Sequence, residues 1–379
     1  MCALNLQVAQ KTLVLLKNEG GLLPLDKNKL RTVGVIGPNA NNRKALMGNY
    51  EGTASRYVTV LEGIQDYVGD DVRVLFSEGC HMYKDRVGAL GRVNDRISEV
   101  KEICDLSDVI IACLGLDAGL EGEEGDEGNE FASGDKPDLN LPGLQEELLK
   151  TIHASGKPVV LVLLAGSALA VNWAQEHIPA ILQGWYPGSQ GGKAIARTLF
   201  GECSPEGKLP VTFYRTTQEL PEFTDYSMAN RTYRYMKEEP LYPFGYGLSY
   251  TTFEVSGAEV SEEAITPRGM EVRCRVKNTG AYASSATIQI YVKANRDGTP
   301  NAQLKGLRKV ALAPGEAADV TIPLSAAAFS LCGQDGSRSV EAGSYSVYVG
   351  LSQPDARSRE LLGCAPERID VNCAQGFKI

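Results

Sequence analysis

Two uninterrupted apolar runs, Val109–Gly115 and 159–165, constrain this chain more than any other feature. A strand with one wet face alternates apolar and polar residues, and these runs do not. They need cover on both faces, which a parallel sheet sandwiched between helices provides. The sequence around them repeats the theme. Strands are predicted at 32–37, 72–76, 108–115, 158–164, 180–185 and 209–213, with helical periodicity near 96–106, 144–154, 168–176 and 190–200. An apolar helix over 3–17 comes first, stopped by Asn18-Glu19-Gly20-Gly21, with Pro24 preventing its resumption. Strands alternating with helices predict an α/β domain with a mostly parallel sheet.

From about residue 251 the pattern turns to β alone. Segments 271–277, 286–293, 304–311, 317–324 and 344–350 alternate or are rich in β-formers. Asn278-Thr279-Gly280, Pro314-Gly315 and Ala342-Gly343 punctuate them, which predicts a small antiparallel sandwich. Between the halves, 216–250 is irregular and rich in tyrosine and proline. Free linkers are rarely so aromatic, so a packed connector is expected. The domain reading is an opening helix and linker over 1–30, an α/β domain over 31–215, the connector over 216–250 and an all-β domain over 251–379.

Charge narrows the partners. A net charge of −9 on 379 residues argues against nucleic acid, whose binding needs basic surface to replace counterions. The longest apolar run is far short of a membrane span. Nine cysteines form an odd, scattered set without a C-x-x-C pair, and three histidines lie far apart. That predicts buried free thiols, a reducing cytoplasm and no zinc or other cofactor. No basic leader or cleavage signature opens the chain.

The stretch that invites chemistry follows the strand at 108–115: Leu120-Glu121-Gly122-Glu123-Glu124-Gly125-Asp126-Glu127-Gly128-Asn129-Glu130. In open α/β sheets ligands gather outside the carboxyl ends of the strands. Crowded carboxylates there raise one another's proton affinity, as general acid/base work requires. By composition alone a solvated acidic loop explains the run as well. A calcium loop does not, since the D-x-[DN]-x-[DN]-G spacing is missing. Trp185 and Tyr186, after another strand, either border a ligand or cover a helix end, and packing is favoured. Pro187-Gly188-Ser189-Gln190-Gly191 lacks the first glycine of a nucleophile elbow, which leaves a serine hydrolase without support.

The chain resembles the family 3 glycoside hydrolases along essentially its whole length. The resemblance is carried, in family order, by Leu15-Leu16-Lys17-Asn18-Glu19-Gly20-Gly21-Leu22-Leu23-Pro24-Leu25, Val35-Ile36-Gly37-Pro38-Asn39-Ala40 and Gly48-Asn49-Tyr50. It continues through Gly134-Asp135-Lys136-Pro137, Leu141-Pro142-Gly143-Leu144-Gln145, Gly207-Lys208-Leu209-Pro210-Val211-Thr212-Phe213 and Tyr242-Pro243-Phe244-Gly245-Tyr246-Gly247-Leu248-Ser249-Tyr250-Thr251-Thr252-Phe253. Leu304-Lys305-Gly306-Leu307-Arg308-Lys309-Val310, leading into Pro314-Gly315-Glu316, closes the series.

This resemblance implies an (α/β)6 sandwich domain followed by a fibronectin type III-like domain. It further implies a (β/α)8 barrel carrying the nucleophilic aspartate ahead of them, which this chain lacks and would meet as a partner subunit or domain. The family's acid/base carboxylate commonly sits in a Glu-x-Glu element, which Glu121-Gly122-Glu123 matches. The role falls to Glu123, with Glu124 and then Glu121 as alternates. The Asp-Arg pair that often follows corresponds to Asp135-Lys136, displaced downstream by an insertion. Asn49 and Tyr50 correspond to a tripeptide near the sugar in members acting on pentosides; a turn with a half-buried tyrosine is the equal alternative. The implied activity is exo-acting, retaining β-xylosidase or β-glucosidase hydrolysis of oligosaccharides or glycosides. A non-catalytic carbohydrate-binding or assembly module is the competing reading. An exposed docking face would favour a barrel or a second copy of the chain.

Overall fold

The two apolar runs are neighbouring central strands of one sheet. The computed structural model describes residues 2–122 and 136–379. Its first compact unit comprises Met1–Lys208 with Phe213–Thr217, and its second Leu209–Thr212 with Gln218–Ile379. The first unit runs α1 (Cys2–Thr12), β1 (Val14–Asn18), β2 (Thr32–Ile36), α2 (Val60–Val68), β3 (Arg73–Ser77), α3 (Ile97–Leu106) and β4 (Val109–Gly115). It continues with α4 (Gln145–Ala154), β5 (Val159–Leu164), α5 (Asn172–His177), β6 (Ala180–Gln183) and α6 (Gly191–Leu199). Strand order is β1-β6-β5-β4-β2-β3. Strands β2 to β6 are parallel, and β4 and β5 are buried at every position, as their composition demands.

Three expectations are corrected. The opening helix ends at Thr12, and the residues after it form β1, antiparallel to β6 at the sheet edge. Leu13, Val14, Leu15 and Leu16 are all buried, which a strand covered on both faces allows and a one-sided helix does not. Lys17 is accommodated because its ammonium donates to the Gln175 carbonyl at 2.6 Å and pairs with Glu19 at 3.1 Å. Segment 209–213 is no sheet strand; Leu209 instead exchanges backbone bonds with Gly245 and Tyr246 in the second unit, each 2.8 Å. Helix α2, absent from the sequence reading, starts at a capping box in which Thr59 Oγ1 accepts from Glu62 N and Glu62 answers Thr59 N.

Helices α2 and α6 meet backbone to backbone. A Cβ on Gly192 would lie 1.8 Å from the Thr59 carbonyl oxygen, and one on Gly63 2.2 Å from the Gly192 carbonyl carbon. No side-chain rotation relieves either clash, because the obstacle is main chain.

The second unit contains α7 (Thr232–Tyr235), β7 (Phe253–Val260), β8 (Met270–Asn278), β9 (Ser284–Ala294), β10 (Gln303–Leu312), β11 (Ala317–Leu324), β12 (Leu331–Cys332) and β13 (Arg338–Val340). It ends with β14 (Gly343–Gly350), α8 (Ala356–Leu362), β15 (Glu367–Cys373) and β16 (Phe377–Lys378). Sheet β10-β9-β14-β15 and sheet β11-β8-β7 enclose one core that includes Val272, Val276, Ile288, Ile290, Val347 and Phe329; β12, β13 and β16 form a third, small sheet. Strict alternation in β8, buried at every second residue, marks its outer face as wet.

The aromatic connector packs onto this unit. Tyr242 and Tyr246 are fully buried and stacked at 5.9 Å. Gly245 adopts φ +78°, and a Cβ there would stand 2.4 Å from Gln289 Oε1. Gln289 Nε2 donates to the Gly245 carbonyl at 2.9 Å, while Tyr291 donates its hydroxyl to Gln289 Oε1 at 2.7 Å. The Pro-Phe-Gly-Tyr motif is therefore a lock on β9.

All nine cysteines are free. Burial pushes the Cys80 thiol up to about 12 and the fully enclosed Cys113 thiol higher still, so neither is a nucleophile at neutral pH. Among the described residues no helix is long and apolar enough to cross a membrane. Gly192→Ala is expected to destabilise the first unit by about 1–3 kcal/mol in urea unfolding. Gly52→Ala, at a position with nothing within 4 Å, is expected to change it by less than about 0.5 kcal/mol.

Candidate active site

The sheet order reverses between β2 and β4: the chain runs outward from β2 to β3, then returns to lay β4 on the other side of β2. The loops leaving these two strands diverge, and the crevice between them is where an open α/β sheet receives ligands. Buried Asn39 holds its floor, donating to the Leu116 carbonyl at 2.7 Å. Gln145 pins the end of β4. Its Oε1 accepts from Gly115 N at 2.7 Å and its Nε2 donates to the Gly115 and Met82 carbonyls, each 2.8 Å. The Leu-Pro-Gly-x-Gln motif thus serves the strand end. Gly143 adopts φ +57°, and a Cβ there would stand 2.6 Å from the Tyr83 carbonyl oxygen.

Glu121 stands over this edge, with its side chain 12% exposed. One oxygen accepts from Gly166 N at 2.6 Å and from the Tyr186 hydroxyl; the other accepts from the Ser167 hydroxyl. Lys136 Nζ lies 3.8 Å from the second oxygen and donates to the Ala168 carbonyl at 2.9 Å. Donors from after β5, from after β6 and from before α4 therefore converge on one carboxylate. Burial lowers the Lys136 ammonium, and the Glu121 charge opposes that shift. Burial raises the Tyr186 phenol, with the Glu121 charge adding to it, so the phenol remains a donor. A side chain on Gly166 would meet Tyr186 Cε2 at 2.7 Å and Glu121 Oε2 at 2.9 Å, which reserves the position for glycine.

Of the residues singled out by sequence, Glu121 takes this anchored position, and Glu123 and Glu124 lie outside the described residues. Asn49 and Tyr50 line a cavity of about 360 Å³ together with Lys44, Gly119 and Ala118, so the loops after β2 and β4 share one opening. The Tyr50 side chain is 90% exposed. Trp185 packs: its indole N–H donates to the Thr12 carbonyl at 3.1 Å and its ring sits edge-on to Phe213. Tyr186, for which the sequence favours packing beside Trp185, instead donates its hydroxyl to Glu121. Its position at the carboxyl end of β6, beside an acidic loop on the same edge, was the available signal. Among the described residues no cluster of His, Cys, Asp and Glu could hold a metal ion.

The sequence profile of the glycosyl hydrolase family 3 C-terminal domain matches residues 13–250, and that of the fibronectin type III-like domain matches 286–353. The chain belongs to glycoside hydrolase family 3. It is 35% identical over 361 residues to a β-xylosidase of Formosa agariphila, covering 92% of this chain and 48% of that protein. It is 34% identical over 375 residues to a periplasmic β-glucosidase of Salmonella typhimurium, covering 91% and 48%. A solved β-glucosidase structure from Erythrobacter marinus superimposes with a TM-score of 0.81 at 31% identity, over 97% of this chain and 50% of that one. The chain spans about half the length of the curated relatives it matches.

Removing one donor from a nearly buried carboxylate leaves it under-satisfied. Tyr186→Phe is expected to destabilise the chain by about 1–3 kcal/mol in chemical denaturation. Tyr226→Phe, at a side chain 83% exposed, is expected to leave the unfolding midpoint unchanged.

Proposed function

We propose that this chain is the acid/base-bearing C-terminal half of a retaining, exo-acting β-glycosidase of the xylosidase or glucosidase type, working with a (β/α)8 barrel that carries the nucleophilic aspartate. The observation that carries this reading is the anchoring of Glu121 at the carboxyl edge of the sheet. One oxygen of that carboxylate accepts from the Gly166 N–H and the Tyr186 hydroxyl, and the other from the Ser167 hydroxyl with the Lys136 ammonium 3.8 Å away, so both oxygens are engaged. It suits an anchor, and we assign it that role. The acidic loop then departs from a fixed point, and Glu123, two positions on, takes the acid/base role; Glu124 is the alternate.

The chemistry follows from the two-carboxylate scheme. Retention needs the carboxyl groups roughly 5–5.5 Å apart. The barrel aspartate attacks the anomeric carbon while the Glu123 carboxylic acid gives its proton to the departing oxygen. Water then enters, Glu123 as carboxylate removes its proton, and the sugar leaves the aspartate with net retention. The acidic neighbours Glu121, Glu124 and Asp126 favour the protonated form that the first step requires. Asn49 and Tyr50, beside the shared opening, are proposed to touch the sugar. The relatives' β-xylosidase and β-glucosidase names support a terminal xylose or glucose as the unit released.

The test combines this chain with a family barrel polypeptide and nitrophenyl β-xyloside or β-glucoside. Glu123→Gln is expected to lower kcat by about 100- to 10,000-fold with substrate binding retained. For the dinitrophenyl glycoside, whose leaving group needs no proton, kcat/KM should barely change. Loss in Glu124→Gln with Glu123→Gln unaffected moves the role by one residue. Turnover by this chain alone defeats the division of labour, and full activity in both variants favours the binding-module reading.

A further inference from the structure

The second unit holds a cavity of about 300 Å³ whose wall includes Thr212, Tyr233, Lys293, Tyr348, Gln353 and Arg357. Its construction follows from the sheet. Lys293 on β9 pairs with Ser346, and Tyr348 on β14 pairs with Tyr291. These residues sit on the face opposite the core residues Ile288, Ile290, Val292, Val347 and Val349. The connector roofs the same face, with Tyr233 stacked on Phe244 at 4.2 Å and edge-on to Tyr291. The 353–357 segment closes the end.

Polar groups in this wall are unusually short of partners. Gln353 is 8% exposed, yet its side-chain amide makes no hydrogen bond among the described residues. The Thr212 hydroxyl is buried and likewise unpartnered. Arg357, 7% exposed, commits Nε to the Leu241 carbonyl at 3.2 Å and Nη1 to Glu360 at 2.7 Å, leaving Nη2 without a bond among the described residues. Lys293 is half-buried and has no carboxylate within ion-pair distance among the described residues. Of these groups the Thr212 hydroxyl is the one sealed from solvent, where an unmade hydrogen bond costs stability; the others face the cavity and are free to meet an occupant.

The wall is neutral in formal charge, with Lys237, Lys293 and Arg357 against Glu238, Glu239 and Asp355, so the occupant is selected by which of these groups are already engaged. Asp355, the acid inside the wall, is spent on α8, accepting from Ser358 N at 2.9 Å and from the Ser358 hydroxyl at 2.5 Å. Glu238 and Glu239 are exposed residues on the wall. The interior therefore offers an ammonium, half a guanidinium, an amide and a hydroxyl beside two tyrosine rings. We infer that this cavity binds a sugar acid: a compact ring whose carboxylate meets Lys293 and Arg357, whose hydroxyls meet Gln353 and Thr212, and whose C–H face lies on Tyr233 or Tyr348. The choice of a sugar acid among hydroxylated carboxylates rests on the carbohydrate reading above. A uronic acid is the simplest member, free or as a residue of an oligosaccharide.

Calorimetric titration of the full chain at low salt tests this with sodium D-glucuronate, D-glucose and sodium acetate. Saturable glucuronate binding is expected, with glucose and acetate each weaker by about tenfold or more. Lys293→Met and Gln353→Leu, at side chains without hydrogen bonds among the described residues, are expected to weaken glucuronate by a similar factor while keeping the thermal midpoint. Glucose binding as tightly as glucuronate, acetate binding as tightly, no saturable binding at all, or folded variants that bind like the parent each overturn the inference. Since the titration needs no barrel and no turnover, glucuronate binding without reconstituted hydrolysis would defeat the proposed function and leave this site standing. The opposite result defeats the site alone.

Discussion

The end of β4 is the point on which the first unit depends. A strand buried on both faces must leave the sheet without stranding its last N–H and C=O, and Gln145 meets both groups of Gly115 with one amide. That single side chain decides where the strand stops and where α4 begins. Asn39 performs a smaller version of the same task on Leu116. Between them the crevice at the reversal of strand order acquires a rigid floor made of main chain.

On that floor the Glu121 cluster gathers parts that are remote in sequence. Tyr186 is 65 residues away and Ser167 46; the parallel sheet brings them together because every strand ends on the same side. An acidic loop alone is mobile and solvated by default. Glu121 itself is fixed from several directions, by donors on three separate segments of the chain.

Much of this architecture could be read from residues because two-sided burial leaves no polar position to confuse the pattern. Val109–Gly115 and Val159–Leu164 are such cases, and the β-only half was equally plain in the alternation of β8. Strand β1 was illegible for a physical reason. Its apolar stretch is too short for periodicity to tell strand from helix, and the decision lies in pairing with β6, far along the chain. Helix α2 had a readable start in Thr59 and Glu62 that a search for longer periodic runs passes over. The hydroxyl of Tyr186 was beyond any local pattern, since its partner is set by strand order and by the bare backbone at Gly166.

The lock between Gly245 and Gln289 bears on where this chain can be cut. Composition suggests a seam near residue 250, but Tyr291 on β9 is wholly enclosed and Gln289 holds the connector through Gly245. A fragment started at that seam would expose an aromatic sheet face and discard one of the two acceptors of the Gln289 amide, leaving only the Leu351 carbonyl. The separable piece of protein is the sandwich together with its tyrosine-rich strap, and the strap belongs to the domain it covers.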